Sequence, residues 1–426
     1  MILSQIEGIA LLKNTLIYSF SSIASAAIPF ILLPVLTRYL TPAEYGQIAM
    51  FTIFTTALAS VVGLSVQGAA NRRFFDDNTS SLELAKFNGN CFFILLVSTS
   101  FALSFLFLVD TLLAEYLGIP SSWIYLGVIS VFFSFVINIR LGQWQVRGKA
   151  KAYGILQITY AFIVLLLSLL FVISLQLGPD GRVYGIVLAS AVIGTIAYRA
   201  LHKDKLVLLK YCRTDINYAL SFGLPLIPHV LGGFLLLSLD RLVINKELGL
   251  GMTGIYMVAV NLGSALNIIF NSINKAYVPW LFEQLKKADD KNKLSIVKKT
   301  YIYFMLLMIM AALSFLIAPP ILEVIVGEEY REAANILPLI LTGQVFMGMY
   351  YMVTNYIFYI KKTKYLSYVT ISSGIINIIL LLVLVPTYGI SGAAFAFLIA
   401  NMVRFIFTWA VSAYLYKMPW ALRIVK

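Results

Sequence analysis

The chain has little charge to spend on water. Of 426 residues, 12% are Asp, Glu, Lys or Arg against 60% hydrophobic, and the mean hydropathy is +0.89. Soluble domains carry roughly 25% charged residues, so a soluble globular fold is excluded and the chain reads as an integral membrane protein. Two cysteines, Cys91 and Cys212, support neither a disulfide framework nor a metal site. The longest loops, 275–299 and 323–332, hold no metal-binding cluster, no nucleophile beside a base and no phosphate-binding glycine loop. No cofactor is expected, and an enzyme is disfavoured.

What is present is continuous oil. Barrel strands alternate over about ten residues, whereas these apolar runs are unbroken, so the fold class is all-α and polytopic. At about 20 residues per crossing, spans are predicted near 15–37, 46–70, 88–109, 121–143, 154–177, 183–201, 218–244, 252–274, 300–320, 334–360, 366–385 and 390–415, twelve in all. The first is too long for a signal-peptide core and is read as a retained helix.

The formal charge of +13 is a topology signal. With the N-terminus cytoplasmic, 25 Lys and Arg fall in cytoplasmic segments, among them Lys13, Arg423 and Lys426, and four on the other side: Arg38, Arg182, Lys246 and Arg331. The positive-inside rule then places both termini in the cytoplasm. That distribution argues against a nucleic-acid partner. Arg140, Arg241 and Arg404 fall within spans or at their ends.

Short matches recur along the chain. Arg38 and Glu44 correspond to Arg241 and Glu247 at an offset of 203, Asn71-Arg72 to Asn274-Lys275 at the same offset, and Tyr184-Gly185-Ile186 to Tyr388-Gly389-Ile390 at 204. They predict two copies of a six-helix unit, 1–212 and 213–426. An even number of spans makes the copies parallel, as two bundles around a central cavity. This is transporter architecture.

Polar stripes run through the oil. Thr56, Ser60, Gly63, Gln67 and Asn71 on the second helix, and Ser264, Asn267, Asn271 and Asn274 on the eighth, recur at helical spacing, which predicts one face each. Two readings stand: interhelical glue, or a wet cavity wall for a hydroxyl-rich ligand. Prolines 29 and 34 in helix one and 225 and 228 in helix seven predict bends, passive or gating. His229, beside Pro228, reads as a structural donor or a proton relay.

RYLTPAEYGQIAMF at 38–51, SLDRLVI at 238–244, GIYMVAV at 254–260 and QWQVRGKAKAYG at 143–154 resemble the Wzx-type flippases of bacterial polysaccharide biosynthesis, in the superfamily of MurJ and the MATE exporters. The resemblance implies a bacterial inner-membrane flippase serving O-antigen or other lipopolysaccharide assembly. Its substrate would be an undecaprenyl-pyrophosphate-linked oligosaccharide, with membrane lipids and polymerase machinery as partners and H+ or Na+ as coupling ion. A pyrophosphate crossing hydrocarbon needs a fixed positive partner, and guanidinium offers bidentate pairing. Arg38, Arg140, Arg241 and Arg404 are therefore candidate substrate ligands with Gln67, Asn71, Asn267, Asn271 and Asn274, and Asp240 is the ion-coupling candidate. Against this stands simple snorkelling of arginines to headgroups from helix ends, including the cytoplasmic ends expected for Arg140 and Arg404. A MATE-like exporter of organic cations is the alternative, and a glycan polymerase or transferase a more distant one. The scarcity of intramembrane acids disfavours cation export.

Overall fold

A computed structural model describes residues 2–76, 80–287 and 289–422. Of the residues weighed above, Arg423, Lys426 and the side chains of Lys13 and His229 lie outside the described set. Among the described residues there are helices and no strands: α1 (Ile2–Tyr39), α2 (Pro42–Val61), α3 (Gln67–Arg73), α4 (Ser81–Leu117), α5 (Ser121–Val146), α6 (Ala150–Leu169), α7 (Gly178–Lys203), α8 (Arg213–Gly223), α9 (Ile227–Lys286), α10 (Asp290–Ile325), α11 (Ala333–Tyr359) and α12 (Lys364–Leu415). In hydrocarbon only a helix satisfies its own backbone within one segment.

Helix number and span number agree only after two corrections. At 1.5 Å per residue, the 60 residues of α9 reach about 90 Å and the 52 of α12 about 78 Å, against a hydrocarbon core of about 30 Å. Each is broken once by a glycine in a conformation closed to other residues: Gly249 (φ 84°, ψ 178°) and Gly389 (φ 61°, ψ −142°). Each of these helices is therefore two spans joined end to end by a single residue, giving a second arm of α9 after Gly249 and a second arm of α12 after Gly389. Conversely, α2 and α3 form one crossing, and α8 continues into the first arm of α9. The sum is the twelve spans expected.

Local signals set the ends. Ser80 and Glu83 form a reciprocal cap at the start of α4, which ends at Gly118 in the left-handed region. Pro225 opens a 3-10 turn, Leu224–Leu226, between α8 and α9, the bend expected of helix seven. The bend expected of helix one is not seen as a break: α1 stays helical through Pro29 and Pro34.

The chain divides into two compact units, residues 1–40 with 44–242 and residues 41–43 with 243–426. In the first, α5 is the most buried of the long apolar helices; in the second, α11 holds that place. These are the fourth and tenth crossings, equivalent places in two sets of six.

The order of elements repeats, but not at the offset that the short matches suggested. Helices α4 and α10 begin at Ser81 and Asp290, 209 apart, and α5 and α11 at Ser121 and Ala333, 212 apart. The positive-φ turns at Gly178 and Gly389 are 211 apart. At 203, Arg38 in the last turn of α1 is matched to Arg241, eight residues before the break at Gly249, and at 204 Gly185 inside α7 is matched to the break at Gly389. The pairing of Arg38 with Arg241 as equivalent residues is therefore withdrawn. In a chain this apolar, two- and three-residue matches arise by coincidence.

The segment after α7 is strapped to the start of α4. Asn88 Nδ2 donates to the Leu206 carbonyl (2.8 Å), Leu208 N to the Ala85 carbonyl (2.9 Å), and Cys212 N to Asn90 Oδ1 (2.9 Å). Gly89 permits this approach: a Cβ there would stand 2.0 Å from the Leu208 oxygen.

Candidate functional site

The stripe on helix two does not survive as one face. Between Ser60 and Gln67 the chain turns, with Gly63, Leu64 and Ser65 all at positive φ (77°, 49° and 56°). Helical spacing cannot be carried across such a break, so Gln67 and Asn71 belong to α3 alone. That short helix docks on α5, where Gln143 Nε2 donates to the Ala70 carbonyl (3.2 Å). Asn71 lies against Gly142, whose missing side chain makes room: a Cβ there would sit 2.3 Å from Asn71 Oδ1. The carbonyl oxygens of Gln67 and Asn71 are buried with no donor among the described residues.

The stripe on the second arm of α9 is continuous and is divided between the two readings. Asn267 Oδ1 accepts from Tyr351 Oη (3.2 Å), and Asn274 Oδ1 accepts from Asn355 Nδ2 (2.8 Å). Those two amides tie the arm to α11, as the glue reading requires. Asn271, between them, is exposed. Tyr351 and Asn355 are four residues apart on α11, so one face of that helix meets both amides. Neither was singled out from sequence, though the YYMVTNY run at 350–356 carried the signal.

Arg404 extends the same neighbourhood. Its guanidinium stacks on the Tyr350 ring at 4.4 Å, Nη2 donates to Tyr350 Oη (3.4 Å), and Nη1 lies 3.9 Å from Met347 Sδ. No carboxylate pairs with it among the described residues. The expectation that it lies near the cytoplasmic end of its helix is not met. Arg404 is 11 residues short of Leu415, about 16 Å along the helix, beyond the reach of snorkelling.

Arg140 contrasts with it. This side chain is 2% exposed, pairs through Nη2 with Asp204, and stacks on Trp144 at 3.9 Å. The bond and charge from Arg140 hold the Asp204 carboxyl below the ordinary carboxylate range. Within the first unit this pair fastens α5 to the turn after α7, and Arg140 does not join the other candidates.

Arg38 is exposed in the last turn of α1. Arg241 is half-buried, about 12 Å along the helix from Gly249. Asp240 is buried at 8% exposure, and its Oδ1 accepts from the Arg241 backbone N–H (2.9 Å). Arg182, one residue before the predicted span 183–201, lies in the first turns of α7 and donates to Ser168 Oγ (2.6 Å).

Among known proteins, the chain is 28% identical over 394 residues to Lsg locus putative protein 1 of Haemophilus influenzae, covering 89% of this chain and 94% of the relative. The lipid II flippase MurJ in an inward closed conformation superposes with a TM-score of 0.72 at 14% identity, covering 95% of this chain and 86% of that one. An inward-facing multidrug resistance MATE family transporter of the MOP superfamily gives 0.70 at 16% identity, covering 93% and 94%. The fold is thus that of the MurJ and MATE transporters. The family model described as polysaccharide biosynthesis protein matches residues 11–286, more than half the chain, and the chain belongs to that family.

Proposed function

We propose that this protein is a lipid-linked oligosaccharide flippase that moves an undecaprenyl-pyrophosphate-linked glycan from the cytoplasmic to the periplasmic leaflet by alternating access. The supporting observation is Arg404: a guanidinium about 16 Å from its helix end, held against an aromatic ring, with no carboxylate partner among the described residues. Intramembrane charge of that kind is costly unless a ligand answers it. An anionic headgroup answers it and an organic cation does not, which favours a glycan flippase over a cation exporter of the same fold.

The neighbouring amides suit the sugars. Exposed Asn271, between two amides already fixed to α11, offers hydrogen bonds to hydroxyls without first breaking protein contacts. In the first unit Gln67 and Asn71 contribute acceptors. Arg38 and Arg241 are proposed as further anion contacts, Asp240 as the site where H+ or Na+ couples, and Arg140 as a structural tie only. The 25 to 4 distribution of basic residues supports cytoplasmic termini in a bacterial inner membrane. Division into functional halves at 212/213 belongs to the same proposal.

The test is complementation of a flippase-deficient host, with surface glycan and cationic-dye efflux scored on the same cells. Restored glycan without efflux is expected. Efflux without glycan would overturn the proposal.

A further inference from the structure

The α9–α10 turn of the second unit is longer than a connection needs. Past Asn274 the helix continues to Lys286, about 18 Å further, before α10 returns from Asp290. The arms pack through Leu281, Leu285, Ile296 and Val297 onto Tyr356 and Met418, with Trp280, Tyr416 and Trp420 closing around them. Tyr301 Oη donates to the Trp420 carbonyl (2.7 Å), and the Tyr356 and Tyr416 rings stack at 6.0 Å. The last described turn of the chain is thus built into an aromatic knot at the base of the hairpin.

Charge is distributed unevenly over this knot. At its base Lys275, Lys298, Lys299, Lys361, Lys362 and Lys417 are all exposed, and none pairs with a carboxylate among the described residues. They come from four segments at one edge of the unit, and Lys299 lies over the Trp280 ring at 5.0 Å. At the tip the lysines have acids for company: Lys287 meets Glu283 at 4.0 Å and Lys293 meets Asp290 at 3.8 Å. The corresponding edge of the first unit is mixed as well, with Arg73 on Asp76 and Arg140 on Asp204. A positive-inside bias can be met with mixed charge, so the acid-free base calls for a separate reason.

We infer that this base binds the phosphate headgroups of anionic phospholipids on the membrane face. Ammonium groups on flexible stems form a diffuse positive surface rather than a shaped cradle, which suits headgroups that exchange and differ in orientation. A lysine attracts an anionic membrane surface only within a Debye length of about 8 Å. Lys275, Lys298 and Lys299 stand where α9 leaves and α10 re-enters the apolar run. Along the helices Lys286 stands about 16 Å beyond Lys275 and Lys291 about 10 Å beyond Lys298, both outside that range. Trp280 and Tyr416 are the ring types that settle at headgroup level.

The test uses the full chain in nanodiscs of phosphatidylcholine containing phosphatidylglycerol, with retained phosphatidylglycerol counted by native mass spectrometry. One variant removes base charge, Lys298→Gln, Lys299→Gln, Lys361→Gln and Lys362→Gln together; another removes tip charge, Lys286→Gln, Lys287→Gln and Lys291→Gln. The base variant is expected to lose at least about tenfold in retention. The tip variant should match the parent, and raising salt from about 0.05 M to about 0.5 M should strip the parent's lipid. Equal loss in both variants, or none in either, overturns the inference. So does displacement of the lipid by millimolar inorganic phosphate or pyrophosphate, which would make this a site for free anions. A base variant that loses binding to polyglutamate but keeps phosphatidylglycerol would instead point to an acidic protein partner and overturn it too.

Discussion

Replacing Asp204 by Ala removes the carboxylate that pairs with buried Arg140. Arg140 is 2% exposed, and its Nε and Nη1 have no acceptor among the described residues, so the loss leaves a guanidinium held chiefly by the Trp144 ring. Breaking a buried pair from one side costs about 3–5 kcal/mol. Here the Asp204 side chain is 38% exposed, so water screens part of the pair and about 2–3 kcal/mol is expected. For a unit of this size that lowers the melting temperature by about 5–10 °C. Tryptophan-monitored melting of the purified protein in detergent measures it, with Arg140→Met plus Asp204→Asn as the companion. If the cost arises from the orphaned charge, the double variant recovers most of the loss. The sign with pH is fixed as well. A carboxyl whose folded value is depressed contributes fully above its unfolded value of about 4 and loses that contribution as pH falls through the folded value. The gap between parent and Asp204→Ala should therefore be constant from about pH 8 to pH 5 and close only in stronger acid. A single variant that melts within about 1 °C of the parent would refute the tie.

Arg404→Ala should cut glycan export about tenfold to a hundredfold at normal protein level, the worth of one charge-assisted contact, with Arg404→Lys partly restored; export like the parent's would remove Arg404 from the site. Gly249→Ala meets no neighbour within 4 Å, so its cost of about 1–3 kcal/mol is backbone strain alone, while Gly251→Ala in the following helix, equally open, should be neutral or slightly stabilising; equal melting of the two would deny the break. Reporter fusions after Lys210 and Lys364 should register as cytoplasmic and one after Leu250 as periplasmic; a cytoplasmic signal at Leu250 would invert the orientation. Asn355→Ala should free Asn274 and lower stability by about 1 kcal/mol, read as a shift in melting.

Hydropathy and charge are long-range sums over many residues, and they gave twelve crossings and a basic edge before any coordinates. Single residues within the oil were harder to read because depth depends on where helices break. Gly249 carries no sequence signal that distinguishes it from helical Gly251, yet its positive φ ends the first arm of α9 five residues past the end expected at 244 and sets Arg241 about 12 Å from the break. The same sensitivity undid the repeat register: aligning by two-residue matches gave 203, whereas the starts of α4 and α10 stand 209 apart, and six residues turn a helix by about 600°. That shift is enough to exchange a buried face for an exposed one. Polar spacing on helix two failed for a related reason, since three successive positive-φ residues between Ser60 and Gln67 interrupt the helix on which the spacing depended. On the second arm of α9 the backbone runs without interruption, and there the spacing of Asn267, Asn271 and Asn274 did place them on one face. What spacing could not supply was the partner helix: whether an amide is glue or is open to a ligand turns on Tyr351 and Asn355, more than 80 residues away in the chain. Arg404 reaches its ring partner Tyr350 on the same helix. The residues that fix the ends of the amide row and the residue that steadies the guanidinium are therefore adjacent in sequence, so a shift of α11 would change the amide contacts and the charged group together.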